Sequence, residues 1–142
     1  MWTKHQIIKA ALTEIGMGEY VHDAQPEELM DALSRLDALM AEWEGQGIVT
    51  GYLVIDGPSD DILSGDSGIR SQIVRAVISG LAVEIAPMFG KTPSPQTTSA
   101  AKRGFGLAIA ATGGPPSLKA NITSSPAGAG WRFRLAMTMP EE

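Results

Sequence analysis

Apolar residues recur along this chain at helical intervals. Between Pro26 and Glu44, residues Leu29, Leu33, Leu36, Met40 and Trp43 fall at steps of four, three, four and three, one stripe of an amphipathic helix. Pro26 suits a first helical position, where the missing N–H has no partner to lose, and Glu27 and Glu28 place negative charge at the positive end of the helix dipole. Gly45 and Gly47 stop the helix. Its span makes a rod of roughly 28 Å, long enough to brace a small domain. An earlier stripe, Ile7, Ile8, Ala11, Leu12 and Ile15, predicts a first helix from about Thr3 to Ile15. Thr3 and Gln6 form its capping box, and Gly16 and Gly18 end it. The connection Met17–Gln25 is short, which predicts antiparallel neighbours.

After the central helix the period changes. Ile48–Ile55 is β-branched and aromatic and reads as an extended segment or a strand, and Gly57-Pro58-Ser59-Asp60-Asp61 reads as an exposed turn. The four aspartates of Asp56–Asp66 lack the register of a calcium-binding loop and read as a solvated loop. A third helix is expected to start after Asp66 or Ser67 and to end at Pro87. Ile69, Ile73, Val74, Val77, Ile78, Leu81, Val83 and Ile85 leave it only a narrow polar strip through Gln72, Arg75 and Ser79. It should therefore be the most buried helix, with Gly80 admitting a close neighbour. A fourth helix is expected from Ser94-Pro95 to about Thr112, weakened by Gly104 and Gly106. The candidate core is Leu33, Leu36, Met40, Trp43, Ile73, Val77 and Leu81. Residues 113–142 hold four glycines and four prolines and read as an extended arm beyond a helical domain of residues 1–112. Within that arm Trp131-Arg132-Phe133-Arg134-Leu135 alternates apolar and basic, as a strand would. The fold class is all-α: a four-helix bundle with an extended loop between the second and third helices and an extended C-terminal arm.

Two blocks carry a family resemblance. Leu39-Met40-Ala41-Glu42-Trp43 is followed by Gly47-Ile48-Val49-Thr50-Gly51-Tyr52. Gly68-Ile69-Arg70-Ser71 is then followed by Ala76-Val77, Leu81-Ala82 and Ile85-Ala86-Pro87. In order and spacing, these blocks resemble the packaged-DNA-stabilisation proteins of short-tailed phages, also called head-to-tail adaptors, head-completion proteins or tail accessory factors. The similarity covers roughly Met1 to Thr112. It implies a structural adaptor of the virion neck, assembled in the host cytoplasm, which binds the portal protein, itself, tail proteins and the packaged double-stranded DNA passing through. About twelve copies would close a ring on the portal through heterologous contacts. They would extend the DNA channel, help retain the genome and carry the tail. In that reading loop residues Tyr52, Leu53 and Arg70 and arm residues Trp131, Arg132, Phe133, Arg134 and Leu135 are the candidate contacts to portal and neighbouring subunits.

Charge adds an asymmetry. Up to Asp66 the chain has three bases against thirteen acids, a net of −10; from Ser67 onward it has eight bases against three acids, a net of +5. This reads either as ordinary solvated helix faces or as a subunit with unlike ends suited to head-to-tail contact. The overall balance of −5 argues against a general DNA binder, which needs a basic surface to release counterions. The zero cysteines exclude a disulfide framework and thiolate chemistry. A content of 44% apolar residues in 142 supports one globular core, and no stretch approaches the ~20 apolar residues of a membrane span. The N-terminal segment carries charges on both sides of too short an apolar run for a signal peptide, so a soluble protein without membrane contact is expected.

Catalytic lookalikes do not assemble into a site. Gly65-Asp66-Ser67-Gly68 matches a protease nucleophile segment, but His5 and His22 stand in predicted helical or connecting chain and mark no triad. Gly90-Lys91-Thr92 lacks the first glycine of a phosphate loop, whose place falls on Ile85. Asn121-Ile122-Thr123 is a glycosylation sequon with no secretory route to use it. Glu42 and Glu44 sit at an exposed helix end. The arm aromatics and arginines could stack on nucleic acid or anchor a protein interface. No catalytic, cofactor or metal residue is expected, and the chain reads as a non-enzyme. The alternatives from other classes are a cell-wall glycan hydrolase and a small helical DNA-binding protein.

Overall fold

The computed structural model describes residues 1–54 and 59–112. Five α-helices follow in order: α1 (Lys4–Glu14), α2 (Pro26–Gly45), α3 (Ser59–Ser64), α4 (Val74–Ile85) and α5 (Pro95–Thr112), with a 3₁₀ turn at Ala86–Phe89. No strand forms among the described residues. The protein is all-α, with one helix more among the described residues than the four expected. The expected extended arm, with Trp131–Leu135, lies outside the described residues, as do Ile55 and the start of the expected turn at Gly57-Pro58.

Local chemistry explains the helix starts. Thr3 Oγ1 accepts the Gln6 N–H at 3.2 Å, while Gln6 Oε1 accepts the Thr3 N–H at 3.1 Å, the reciprocal pair of a capping box. Glu28 accepts the Gln25 N–H at 2.9 Å ahead of Pro26. Ser94 Oγ accepts the Thr97 N–H at 3.1 Å and so caps α5.

α4 is the centre of the molecule and packs on α5, α1 and α2. Eight of its twelve residues are buried, and its Ser79 hydroxyl bonds back to Arg75 O and Ala76 O. Leu33, Leu36, Met40, Trp43, Ile73, Val77 and Leu81 all lie in one apolar core with Ile7, Ile8, Ala11 and Leu12 of α1. Trp43 meets Phe105 of α5 edge-on, ring centroids 5.6 Å apart at 65°.

Three expectations need correction. α4 begins at Val74 and not after Asp66 or Ser67, because those residues are held against the start of the chain: Ser67 donates both its hydroxyl, at 2.6 Å, and its N–H, at 3.1 Å, to Trp2 O, and Asp66 bridges to Thr3. The acidic stretch read as an open turn holds the short helix α3. The close approach of two helices occurs at Gly104, not Gly80. A Cβ on Gly104 would stand 2.8 Å from Ala76 Cα, whereas one on Gly80 would make ordinary contact at 3.5 Å with Leu39.

Candidate functional site

The two sequence blocks that bear the resemblance lie side by side. Segment 48–54 leaves α2 and runs against segment 65–70, with the start of the chain alongside. Leu53 N–H donates to Ser67 O at 3.0 Å and Arg70 N–H to Thr50 O at 3.4 Å. Ser67 N–H donates to Trp2 O at 3.1 Å and Lys4 N–H to Gly65 O at 3.3 Å, beside a single antiparallel bridge between Thr3 and Asp66. Gly51 and Gly68 face each other at this crossing, with φ of +79° and +69°. A Cβ on Gly51 would stand 2.9 Å from Gly68 O; one on Gly68 would overlap Gly51 O and stand 2.8 Å from Leu53 Cγ. Two glycines are needed there twice over, for backbone angle and for space. The result is a clasp of three short extended segments without a regular strand.

Beneath the clasp lies a buried polar group that sequence reading missed. Lys4 is 1% exposed and holds its ammonium over the Tyr52 ring, 4.5 Å from the centroid. The Tyr52 hydroxyl donates to Asp37 of α2. Burial lowers the Lys4 pKa, and Asp37 opposes that shift. Burial first, and then the bond and charge of Asp37, raise the Tyr52 pKa. One legible signal existed: Lys4 precedes Ile8 and Ala11 by four and seven, on the inward stripe of α1.

The candidate contact residues are therefore divided. Tyr52 is an interior side chain, 8% exposed, whereas Leu53 is 53% exposed and Arg70 stands in solvent. Trp131, Arg132, Phe133, Arg134 and Leu135 lie outside the described residues. The serine of the protease-like segment, Ser67, is fully buried, and its hydroxyl is committed to Trp2 O.

Two concavities gather charged side chains from separate parts of the chain. One, of about 260 Å³, is walled by α1 and the 16–25 connection, with His5, Lys9, Glu19, His22 and Asp23 on its lining. Lys9 pairs with Glu19, and His22 with Glu28 at 2.8 Å, so both ends of the connection are tethered. Its tip exposes Tyr20 completely and Val21 for the greater part. The bond from Lys9 holds the Glu19 carboxyl below its ordinary pKa, and bonds from His22 and the Gln25 N–H do the same to Glu28. Burial lowers His5, aided by Lys9 and opposed by Glu19. Among the described residues no group of three His, Cys, Asp or Glu side chains is placed to hold a metal ion. The other concavity is a trough between α4 and α5 of about 370 Å³. Arg75 and Arg103 stand on its walls, exposed, and Leu107 at its end is 66% exposed. The sequence concealed this trough because its two arginines come from different helices.

Among the described residues no helix is long and apolar enough to cross a membrane. A family model described as P22 tail accessory factor matches residues 1–140.

Proposed function

This chain belongs to the P22 tail accessory factor family, a family of short-tailed phages, and from that membership we propose that it is the adaptor between phage head and tail. In this reading it docks beneath the portal ring, and about twelve copies close a second ring by head-to-tail contacts. That ring continues the DNA channel, helps retain the packaged genome and offers a platform to tail proteins. The observation that carries the reading is the match over residues 1–140, which takes in both the helical domain and the residues beyond Thr112. The clasp supports it, since the family-like blocks meet there and leave Leu53 and Arg70 outward for a partner. An acidic first half would let DNA slide past a channel wall without sticking.

Mass measurement of the purified protein, alone and mixed with its portal, tests the proposal. A complex holding one added chain per portal subunit is the expected result. Two separate species at every ratio and salt concentration would reject it.

A further inference from the structure

Among the described residues, the trough between α4 and α5 is the open flank of a helix pair whose other flank is covered. On the covered side Trp43 meets Phe105, and Leu39 and Trp43 pack at Gly80. On the open side the floor is made of small side chains, Ala76, Ser79, Ala100 and Gly104, between Arg75 and Arg103. Neither arginine forms an ion pair among the described residues; both ion pairs there lie in the first 28 residues. Arg75 also borders a shallower concavity with Trp2 and Glu14, which does not bridge to it. Among the described residues no acid lines the trough.

A surface of opposite character lies on α2. Glu27, Asp31, Ser34, Ala38, Ala41 and Glu42 fall at helical steps along its outer face, and all are exposed. The middle of that face is small and smooth, and its ends are acidic. Arg35, the helix's one base, stands beside the stripe. Because α2 meets α4 and α5 with its inner face, its outer stripe points away and cannot reach the trough of its own subunit.

We infer that the α4–α5 trough receives the outer face of α2 from a second copy of this chain. This rests on the ring reading above and supplies its contact. Small residues on both sides let the helices approach closely, and Arg75 and Arg103 meet the acids of the incoming helix. Leu107 covers the end of the contact. A trough on one face and a ridge on another make a heterologous contact, the kind that propagates around a ring.

The chain has no cysteine, so Ala38→Cys and Ala100→Cys placed together provide a clean probe. Phage particles built with this variant, oxidised and run under denaturing conditions, should give a ladder of covalent multimers, while either single change gives dimers at most. Full incorporation without a ladder overturns the inference and leaves the adaptor reading standing. A chain absent from particles even in its unaltered form overturns the adaptor reading, and this inference with it. A second arm uses charge. Arg75→Glu with Arg103→Glu should weaken the contact by about tenfold in Kd, a change equivalent to about 1.4 kcal/mol, and so lower the copies per particle at limiting concentrations of the chain. Glu27→Lys with Asp31→Lys should do the same, and an equal mixture of the two variants should restore occupancy because each supplies the face the other needs. Unchanged melting temperatures exclude misfolding, and no rescue by the mixture counts against the pairing.

Discussion

Gly68→Ala tests the clasp at its tightest point. Gly68 holds φ at +69°, a region that costs an alanine roughly 1–2 kcal/mol. The new methyl would also overlap Gly51 O and press on Leu53 Cγ at 2.8 Å. Forcing a carbon into packed surroundings adds about 1–3 kcal/mol, since the obstacle includes backbone that must move. The expected loss is thus about 2–5 kcal/mol. At roughly 2.1 cal/mol/K per residue over 142 residues, each kcal/mol lowers Tm by about 3 °C, so a fall of about 6–15 °C is expected. Gly16→Ala is the matched control: its φ is +81°, but nothing lies within 4 Å of the added carbon. It should lose only the conformational part, about 1–2 kcal/mol. Urea titrations of the three proteins, with equal m values, give the difference directly. If the two substitutions cost the same within about 0.5 kcal/mol, the crossing has room for a side chain and the steric argument fails.

Trp43→Ala should cost about 3–5 kcal/mol, because the ring is 4% exposed and leaves a void between Gly80 and Phe105; a urea-derived loss under 1 kcal/mol would contradict its place in the core. Gly104→Ala and Gly106→Ala should differ in sign. The first gains about 1 kcal/mol of helix propensity but forces a carbon to within 2.8 Å of Ala76 Cα, so it destabilises overall, while the second faces open space and should raise Tm slightly. The tether of the 16–25 connection should depend on acid: the Glu19 and Glu28 carboxyls are held below 4.5, so their contribution is complete above that pH and is lost as pH falls through the lowered values. Amide exchange across Gly16–Gln25, corrected for intrinsic rate, should therefore accelerate below pH 4.5, and equal protection at pH 6 and pH 3 would speak against the tether.

Helices were legible wherever a single stripe and a cap coincided. Thr3 with Gln6, Pro26 with its two glutamates and Ser94-Pro95 all mark true starts to within a residue. The reading failed where an apolar run has no intrinsic period. Ile69 and Ile73 are both buried, 5% and 1%, as they would be in a helix, yet the chain between them is extended and turning. What decides this is the bonding of Ser67 to Trp2, a partner 65 residues away that no local pattern reveals. α3 was hidden because acidic turn-forming residues can also open a short helix. Gly80 and Gly104 look alike in sequence, and only the crossing of α4 and α5 tells which one a neighbour presses upon. The same limit applied to function. Family-like blocks were visible in order along the chain, whereas the Lys4–Tyr52–Asp37 group and the Arg75–Arg103 trough are each assembled from two or more elements.

The clasp also orders events in time. Its Ser67–Trp2 bond closes a loop of 65 residues, so it must wait until most of that chain has left the ribosome and until closure entropy is offset by other contacts. α1 and α2 need no such delay, being separated by eleven residues, and can pair while synthesis continues. A contact absent from the folding transition state leaves the folding rate alone and governs the rate of unfolding instead. If the clasp closes after that state, tightness at Gly51 and Gly68 sets how long a finished subunit survives while it waits for a place to bind, and Gly68→Ala should speed unfolding with the folding rate unchanged.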